Sequence, residues 1–255
     1  MDTLYWALAA GAFSAGFIDA VAGGGGLIQV PALLMAFPQA LPSTVFGTNK
    51  CASLWGTLTA ARQYLMRVAL PRRVVVGSLG SALIGAWLGA SLIARIPVAI
   101  LRPGVLLLLI VVAVYTFTRH ELGRVHAPRH GLRAELLISA GIAGALGFYD
   151  GVFGPGTGAF LIFLFVRVLG YDFLHASALG KLVNSASNFG ALGYFVPAGH
   201  ILWVVAAMMA LCNVAGALIG THLALRHGSG FVRVVFMLVV AALIVRLAQQ
   251  SFSIE

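Results

Sequence analysis

The chain has 255 residues, of which 60% are hydrophobic and only 9% charged, and its mean hydropathy is +0.99. Roughly a quarter of the residues of a soluble domain are charged, so this composition excludes one and requires an integral membrane protein. The formal charge of +9 comes from basic residues dispersed over membrane-flanking loops. Without a dense basic block interleaved with aromatics they read as topology signals, and no nucleic-acid partner is expected.

The first apolar run, 4–22, follows Met1-Asp2-Thr3, which lacks the positive start of a secretory signal, and it is longer than a signal core. It is expected to stay as a first helix. Further apolar runs of helical length lie at 44–65, 74–94, 103–118, 136–150, 174–195, 203–225 and 231–249, and about 20 residues at 1.5 Å each cross a bilayer. Shorter runs at 27–37 and 159–166 follow glycine clusters. No stretch alternates at period two between turn signals, so a β-barrel is not expected. Cys51 and Cys212 lie within apolar runs and are expected to be buried, reduced thiols.

Shifting the chain by 131 residues superposes Gly16-Phe17-Ile18-Asp19 on Gly147-Phe148-Tyr149-Asp150, and Lys50 on Lys181, the chain's two lysines. The same shift, without a gap, matches Gly85 to Gly216, Gly89 to Gly220, Arg95 to Arg226 and Arg102 to Arg233. The chain is therefore a duplicated unit: a first repeat over 1–118, a basic linker over 119–133 and a second repeat over 134–255, forming one membrane domain. Each copy has a glycine-broken segment followed by three ordinary spans. If the broken segment returns to its starting side, the copies are inverted. Arg62, Arg67, Arg72, Arg73, Arg119, Arg124, Arg129, Arg133, Arg167, Arg226 and Arg233 then share the cytoplasmic side, and only Arg95, Arg102 and Arg246 face out. A parallel arrangement moves Arg167, Arg226 and Arg233 outside and Arg246 inside, a weaker bias, so the positive-inside rule favours inversion. The fold expected is all-α and membrane-integral, with two inverted-topology repeats, each a glycine-broken helical hairpin plus three transmembrane helices. That is the common plan of secondary transporters, whose substrate sits near mid-membrane where the repeats meet.

Gly23-Gly24-Gly25-Gly26 and Gly154-Pro155-Gly156-Thr157-Gly158 are poor helix interiors, because each glycine costs about 0.8–1 kcal/mol relative to alanine. They are expected to be turns at membrane depth, tolerated where protein or a hydrated cavity surrounds them. The short helices that follow would then point unpaired N–H groups into that cavity, a setting that attracts anions. Alternatively, the glycines only let helices approach closely. Asp19 and Asp150 precede the breaks, and an aspartate at a helix centre costs roughly 2.5–3.5 kcal/mol. Each therefore braces its turn or carries a coupling proton.

Lys50, Ser53 and Thr57 share offsets with Lys181, Asn184 and Asn188, and each set falls on one side of a helix. Two ammonium groups aligned with hydroxyl and amide donors could hold a small oxyanion. The competing reading makes them fixed ion pairs, Lys50 with Asp19 and Lys181 with Asp150, since buried charges normally pair. Of the seven histidines, His120, His126, His130, His200 and His227 lie in or beside loops, His175 lies near a helix start, and His222 alone sits well inside a span as a packing residue. No His-Glu-x-x-His or paired-cysteine pattern is present, and no metal or cofactor is expected. No P-loop follows either glycine cluster.

Gly16-Phe17-Ile18-Asp19 with Gly23-Gly24-Gly25-Gly26-Leu27 and Pro31, then Gly47-Thr48-Asn49-Lys50, and in the second copy Gly154 to Gly158 with Lys181-Leu182-Val183-Asn184 through Asn188, resemble the TauE/SafE sulfite exporter family over nearly the whole chain. The resemblance implies a multi-pass transporter of the bacterial inner membrane, in a family associated with sulfite, sulfonates and related sulfur compounds. On this basis the expected function is secondary transport of a small anion, such as a sulfur oxyanion, by alternating access. The proposed binding set is Gly23, Gly24, Gly25, Gly26, Thr48, Asn49, Lys50, Gly154, Gly156, Thr157, Gly158, Lys181, Asn184 and Asn188, with Asp19 and Asp150 in a coupling or bracing role. An anion channel on the same scaffold is the alternative. An enzyme is not expected, because no nucleophile, base and orienting group occur at a workable spacing.

Overall fold

The structure, a computed structural model, describes residues 2–92, 123 and 125–252. The expected span at 103–118 and linker residues 119–122 and 124 lie outside the described residues. In chain order the helices are α1 (Asp2–Ala22), α2 (Gly26–Ala36), α3 (Pro42–Leu65), α4 (Arg72–Leu92), α5 (Leu132–Val152), α6 (Thr157–Leu164), α7 (Phe173–Phe195) and α8 (Trp203–Phe252). A wide π turn, Phe165–Leu169, extends α6. The runs expected at 203–225 and 231–249 form the one element α8, which breaks at Gly228 into arms over 203–227 and 229–252, with that glycine at φ 75° and ψ −173°. No strand occurs among the described residues, and four helices are long and apolar enough to cross a membrane: Leu4–Ala22, Arg72–Leu92, Leu132–Val152 and Trp203–Ala242.

Local chemistry explains the boundaries. α1 stops where Gly23 takes φ 80°, and α5 stops before Gly154 and Gly156, both at φ 88°, a region open to glycine at no steric cost. Proline opens α3 at its first position, where the missing N–H would have lacked a helical partner anyway. Asp172 caps α7 by accepting the His175 N–H at 2.8 Å. Trp6, Trp55, Trp87 and Trp203 are exposed, as are Leu137 and Leu211, which suits side chains turned to lipid.

Packing follows the 131-residue shift reciprocally. α4 runs beside α5, and α1 beside the first arm of α8. A Cβ on Gly85 would lie 2.3 Å from the Gly144 carbonyl oxygen, and one on its counterpart Gly216 would lie 2.0 Å from that of Phe13. Gly89 abuts Phe148 while Gly220 abuts Phe17, and Gly147 abuts Ala82 while Gly16 abuts Asn213. With so little surface at these crossings, main chains approach directly, the way helices associate where no hydrophobic gain separates protein from lipid. α3 and α7 lie side by side with opposite sense: Gly47 meets Phe195 at one end, and Tyr64 lies beside Ser177 at the other.

Gly85→Val and Gly216→Val should each lower stability by about 1–3 kcal/mol through overpacking, whereas Gly80→Ala, where an added carbon meets nothing, should not destabilise. Unfolding of the detergent-solubilised protein checks this.

Candidate functional site

The two helix breaks touch. The Gly23 carbonyl accepts the Ala159 N–H at 3.0 Å, and Gly23 and Gly158 approach so closely that a Cβ on Gly158 would lie 2.6 Å from the Gly23 Cα. Only paired glycines allow that contact. Most N–H groups expected to face the cavity unpaired are instead used locally. Leu27 donates to Gly24, Ile28 and Gln29 to Gly25, Thr157 to Gly154 and Phe160 to Gly156. The Gly25 N–H reaches Asp19 Oδ1 at 3.4 Å.

Around this contact lie two buried ion pairs, and their pairing corrects the sequence reading. Lys50 Nζ is 2.5 Å from Asp150 Oδ1, and Lys181 Nζ donates to Asp19 Oδ2 at 2.9 Å. Each lysine therefore meets the aspartate of the other copy, not of its own. The physical reason is that α3 and α7 pack on each other, and each faces the break belonging to the opposite copy. The first pair is 3% exposed on both sides; in the second, Lys181 is 1% and Asp19 13% exposed. Asp150 also accepts from Ser187 Oγ at 2.6 Å. With two ammonium groups and two carboxylates so paired, the centre is formally balanced, not positive.

The registers of α3 and α7 set the pairs apart in height. At the backbone Lys50 is level with Leu192 and Lys181 with Ala61, which separates their Cα positions by about 16 Å along the bundle at 1.5 Å per residue. Between them is a cavity of about 20 Å³ lined by Asp19, Gly23, Gly26, Asn49, Lys50, Ser53, Asp150, Gly154, Gly156, Gly158, Asn184 and Asn188. That is room for about one water. The structure thus gathers most of the expected binding residues around one space, and Ser53 with them. Gly24, Gly25, Thr157 and Lys181 are not among its lining residues. Thr48 is occupied elsewhere, donating to Thr44 and accepting from the Leu202 N–H. Thr157 Oγ1 is spent on the Gly154 carbonyl, and Thr57 back-bonds within α3.

Three polar contributors escaped the sequence reading. Ser187 lies off the offsets that single out Asn184 and Asn188. Tyr149 stiffens the second break by donating to the Pro155 carbonyl at 2.6 Å. Gln29 is fully buried on α2, accepting from Ser53 Oγ at 2.8 Å. Its signal was available, since it is the one amide in an otherwise apolar short helix beside a break. Gln29 Nε2 and Asn49 Oδ1 are buried without a hydrogen-bond partner, and buried polar atoms normally have one.

A larger cavity, about 450 Å³, lies where the end of α3 meets the first arm of α8 and is lined by Gln63, Met66, Arg67, His222, Leu225 and Arg226. Arg226 matches Arg95 in the other copy, but the positions matching Arg67 and His222 are Ala198 and Ser91, so the repeat accounts for only part of its basic character. His222, expected inside a span, is exposed there. Cys51 and Cys212 are free and partly buried.

Comparison with known proteins places these features in a family. The profile of the sulfite exporter TauE/SafE family matches residues 8–247. The chain is 37% identical over 238 residues to a probable membrane transporter protein, ORF9, of Sinorhizobium sp, covering 92% of this chain and 89% of that one. It is 36% identical over 221 residues to a probable membrane transporter protein of Haemophilus influenzae, covering 87% and 85%. With the probable membrane transporter protein YfcA of Escherichia coli strain K12 it shares 31% over 244 residues, 96% and 89% of the two chains. No solved structure matches.

Removing one member of a buried pair leaves a charge without its partner, a loss of about 3–5 kcal/mol. Lys50→Met and Asp150→Leu should each destabilise on that scale, and the double variant should lose less than the sum. A double-mutant cycle on denaturant unfolding measures the difference.

Proposed function

Since the chain belongs to the TauE/SafE family of membrane transporters, we propose that it carries a small anion, a sulfur oxyanion or organosulfonate such as sulfite, by alternating access between two inverted repeats of the bacterial inner membrane. The two crossed ion pairs, standing at different heights on either side of one small polar cavity, carry this reading. In the cycle, Lys50–Asp150 and Lys181–Asp19 act as the two gates. Asn49, Ser53, Asn184 and Asn188 line the space between them, and the unpartnered amide atoms of Gln29 and Asn49 are available to a solute. The cavity holds about one water, so an oxyanion enters only when one gate opens.

Charge balance supplies the coupling. An anion binding to either lysine displaces a carboxylate, and leaving that carboxylate ionised beside an anion in apolar surroundings is costly. Protonation of Asp19 or Asp150 removes the conflict and releases the ammonium. One proton then travels with each anion.

Inversion is supported by the opposite sense of α3 and α7, which correspond to each other in the two copies. Following the contacts from helix to helix brings many basic residues to one end of the bundle. They are Arg62, Arg67, Arg72 and Arg73 around the α3–α4 turn, Arg129 and Arg133 at the start of α5, Arg167 before α7, and Arg226 and Arg233 either side of Gly228. That end is cytoplasmic by the positive-inside rule, and the larger basic cavity there is a suitable vestibule for an anion. Ion pairs flanking the cavity support a gated carrier over an open channel.

In proteoliposomes, uptake of labelled sulfite should saturate and respond to an imposed pH gradient. Lys50→Gln and Lys181→Gln should reduce it at least tenfold in folded protein. Non-saturating flux indifferent to the gradient would favour a channel, and a thermal-shift screen of sulfite, sulfate, thiosulfate and small sulfonates ranks the solutes, because a ligand preferred by the native state raises its stability.

A further inference from the structure

Away from the ion pairs, at the basic end of the bundle, a second polar cluster has no part in the proposed transport path. The segment after Gly123 is strapped onto the stretch that precedes α7. Ala127 N–H donates to Gly170, Arg129 N–H to Leu169, and Phe173 N–H to Gly123, each at 3.0 Å. Arg129 adds a guanidinium bond to the Arg167 carbonyl at 2.9 Å, and His130 bonds the Val168 carbonyl. The strap holds His126 over the first turn of α7, where its ring stacks on that of His175 with centroids 3.7 Å apart and planes 24° from parallel.

His175 is itself oriented: its Nδ1 lies 2.9 Å from Asp172 Oδ1. A metal ion that replaces the proton held between them takes Nδ1 and Oδ1 as two of its ligands. One ligand atom each from His126, Asp172 and His175 lies within 4.8 Å of the others, and ligands of a tetrahedral ion with bonds near 2.0–2.1 Å stand roughly 3.3–3.5 Å apart. The exposed His126 ring closes that gap by leaving its stack on His175 and turning its in-plane lone pair toward the ion. Below the cluster, Tyr171 donates to the buried Glu135, which fixes the floor on which both rings rest.

Repeat symmetry shows that the scaffold does not demand this cluster. The positions matching Glu135, Tyr171, Asp172 and His175 in the first copy are Leu4, Ala40, Leu41 and Thr44. There the same fold is built without an acid, a phenol or an imidazole. The helix cap explains Asp172, but neither the cap nor the packing calls for two stacked imidazoles.

We infer that His126 and His175, with Asp172, form a binding site for one divalent transition ion of the zinc class, which clips the segment joining the two repeats to the start of α7. Nitrogen donors with one carboxylate suit zinc, and water completes the coordination. Magnesium and calcium, which prefer all-oxygen shells, are excluded by the same donors. Because α7 carries Lys181, Asn184 and Asn188, an ion here restrains the helix that bears half of the transport site. It does so without touching that site.

The test uses full-length protein purified without a histidine tag and stripped with a chelator, titrated with cobalt(II) and zinc(II), with magnesium(II) as the control. The expected result is uptake of one cobalt per chain with the visible absorption of a tetrahedral nitrogen-ligated ion, displaced by zinc and unaffected by magnesium. His126→Ala, at an exposed side chain, should abolish it, and Asp172→Asn, which keeps a helix-capping oxygen but removes the ligand charge, should weaken zinc binding at least tenfold. Absence of uptake by the wild-type protein, or unchanged stoichiometry and spectrum in His126→Ala, overturns the proposal. The readout is metal binding alone, so it stands or falls independently of the solute transported.

Discussion

The molecule depends on placing four charges inside a bilayer-sized helical bundle and finding each a partner. An isolated ion in such a place costs several kcal/mol even after relaxation, so the contacts Lys50–Asp150 and Lys181–Asp19 constrain everything around them. Because each joins one copy to the other, neither repeat can satisfy its own lysine and aspartate in this arrangement. The halves are bound at the centre by charge and at the periphery by backbone contact. At α4–α5 and α1–α8, glycines allow the main chains to meet. A membrane offers little hydrophobic gain for such contacts, which makes close packing and polar pairing the available adhesives.

Much of this was legible in the chain itself. The glycine breaks and, among the described residues, the helical runs appear in the structure within a few residues, because apolar length and glycine clustering act locally. The ion-pair partners were not legible, and the repeat is the reason. Lysine follows aspartate at the same interval in both copies, so pairing within copies and between copies leaves the same trace in the sequence. Only the stacking of α3 on α7 separates the two, and that is a tertiary fact. The junction at Gly228 was similarly hidden: His227-Gly228-Ser229-Gly230 reads as a loop between spans, while the chain needs only one glycine at φ 75° to turn from one arm into the next.

Part of the anion-binding expectation rested on helix ends, and several of those amides are bonded locally. Glycine turns that pass at van der Waals distance consume their own amides, one of them across the interface from Ala159 to Gly23. The side-chain amides and the lysines can also meet a solute, the latter only when their carboxylates withdraw. In the proposed cycle this adds protonation to the groups that govern binding.

Departures from symmetry then distinguish the two gates. Asp150 has an additional hydroxyl donor in Ser187, where the first copy has Gly56, and its break is stiffened by Pro155 and by the Tyr149 bond, where the first copy has Gly24 and Ile18. Asp19 has only Lys181 and a long contact from the Gly25 N–H, and it is the more exposed carboxylate. With longer bonds to break, Asp19 is the more loosely held of the two carboxylates. Its lysine partner stands nearer the basic end of the bundle. On the proposed topology the looser gate therefore opens toward the cytoplasm, and the stiffer one, held by Ser187, Tyr149 and Pro155, guards the outer side.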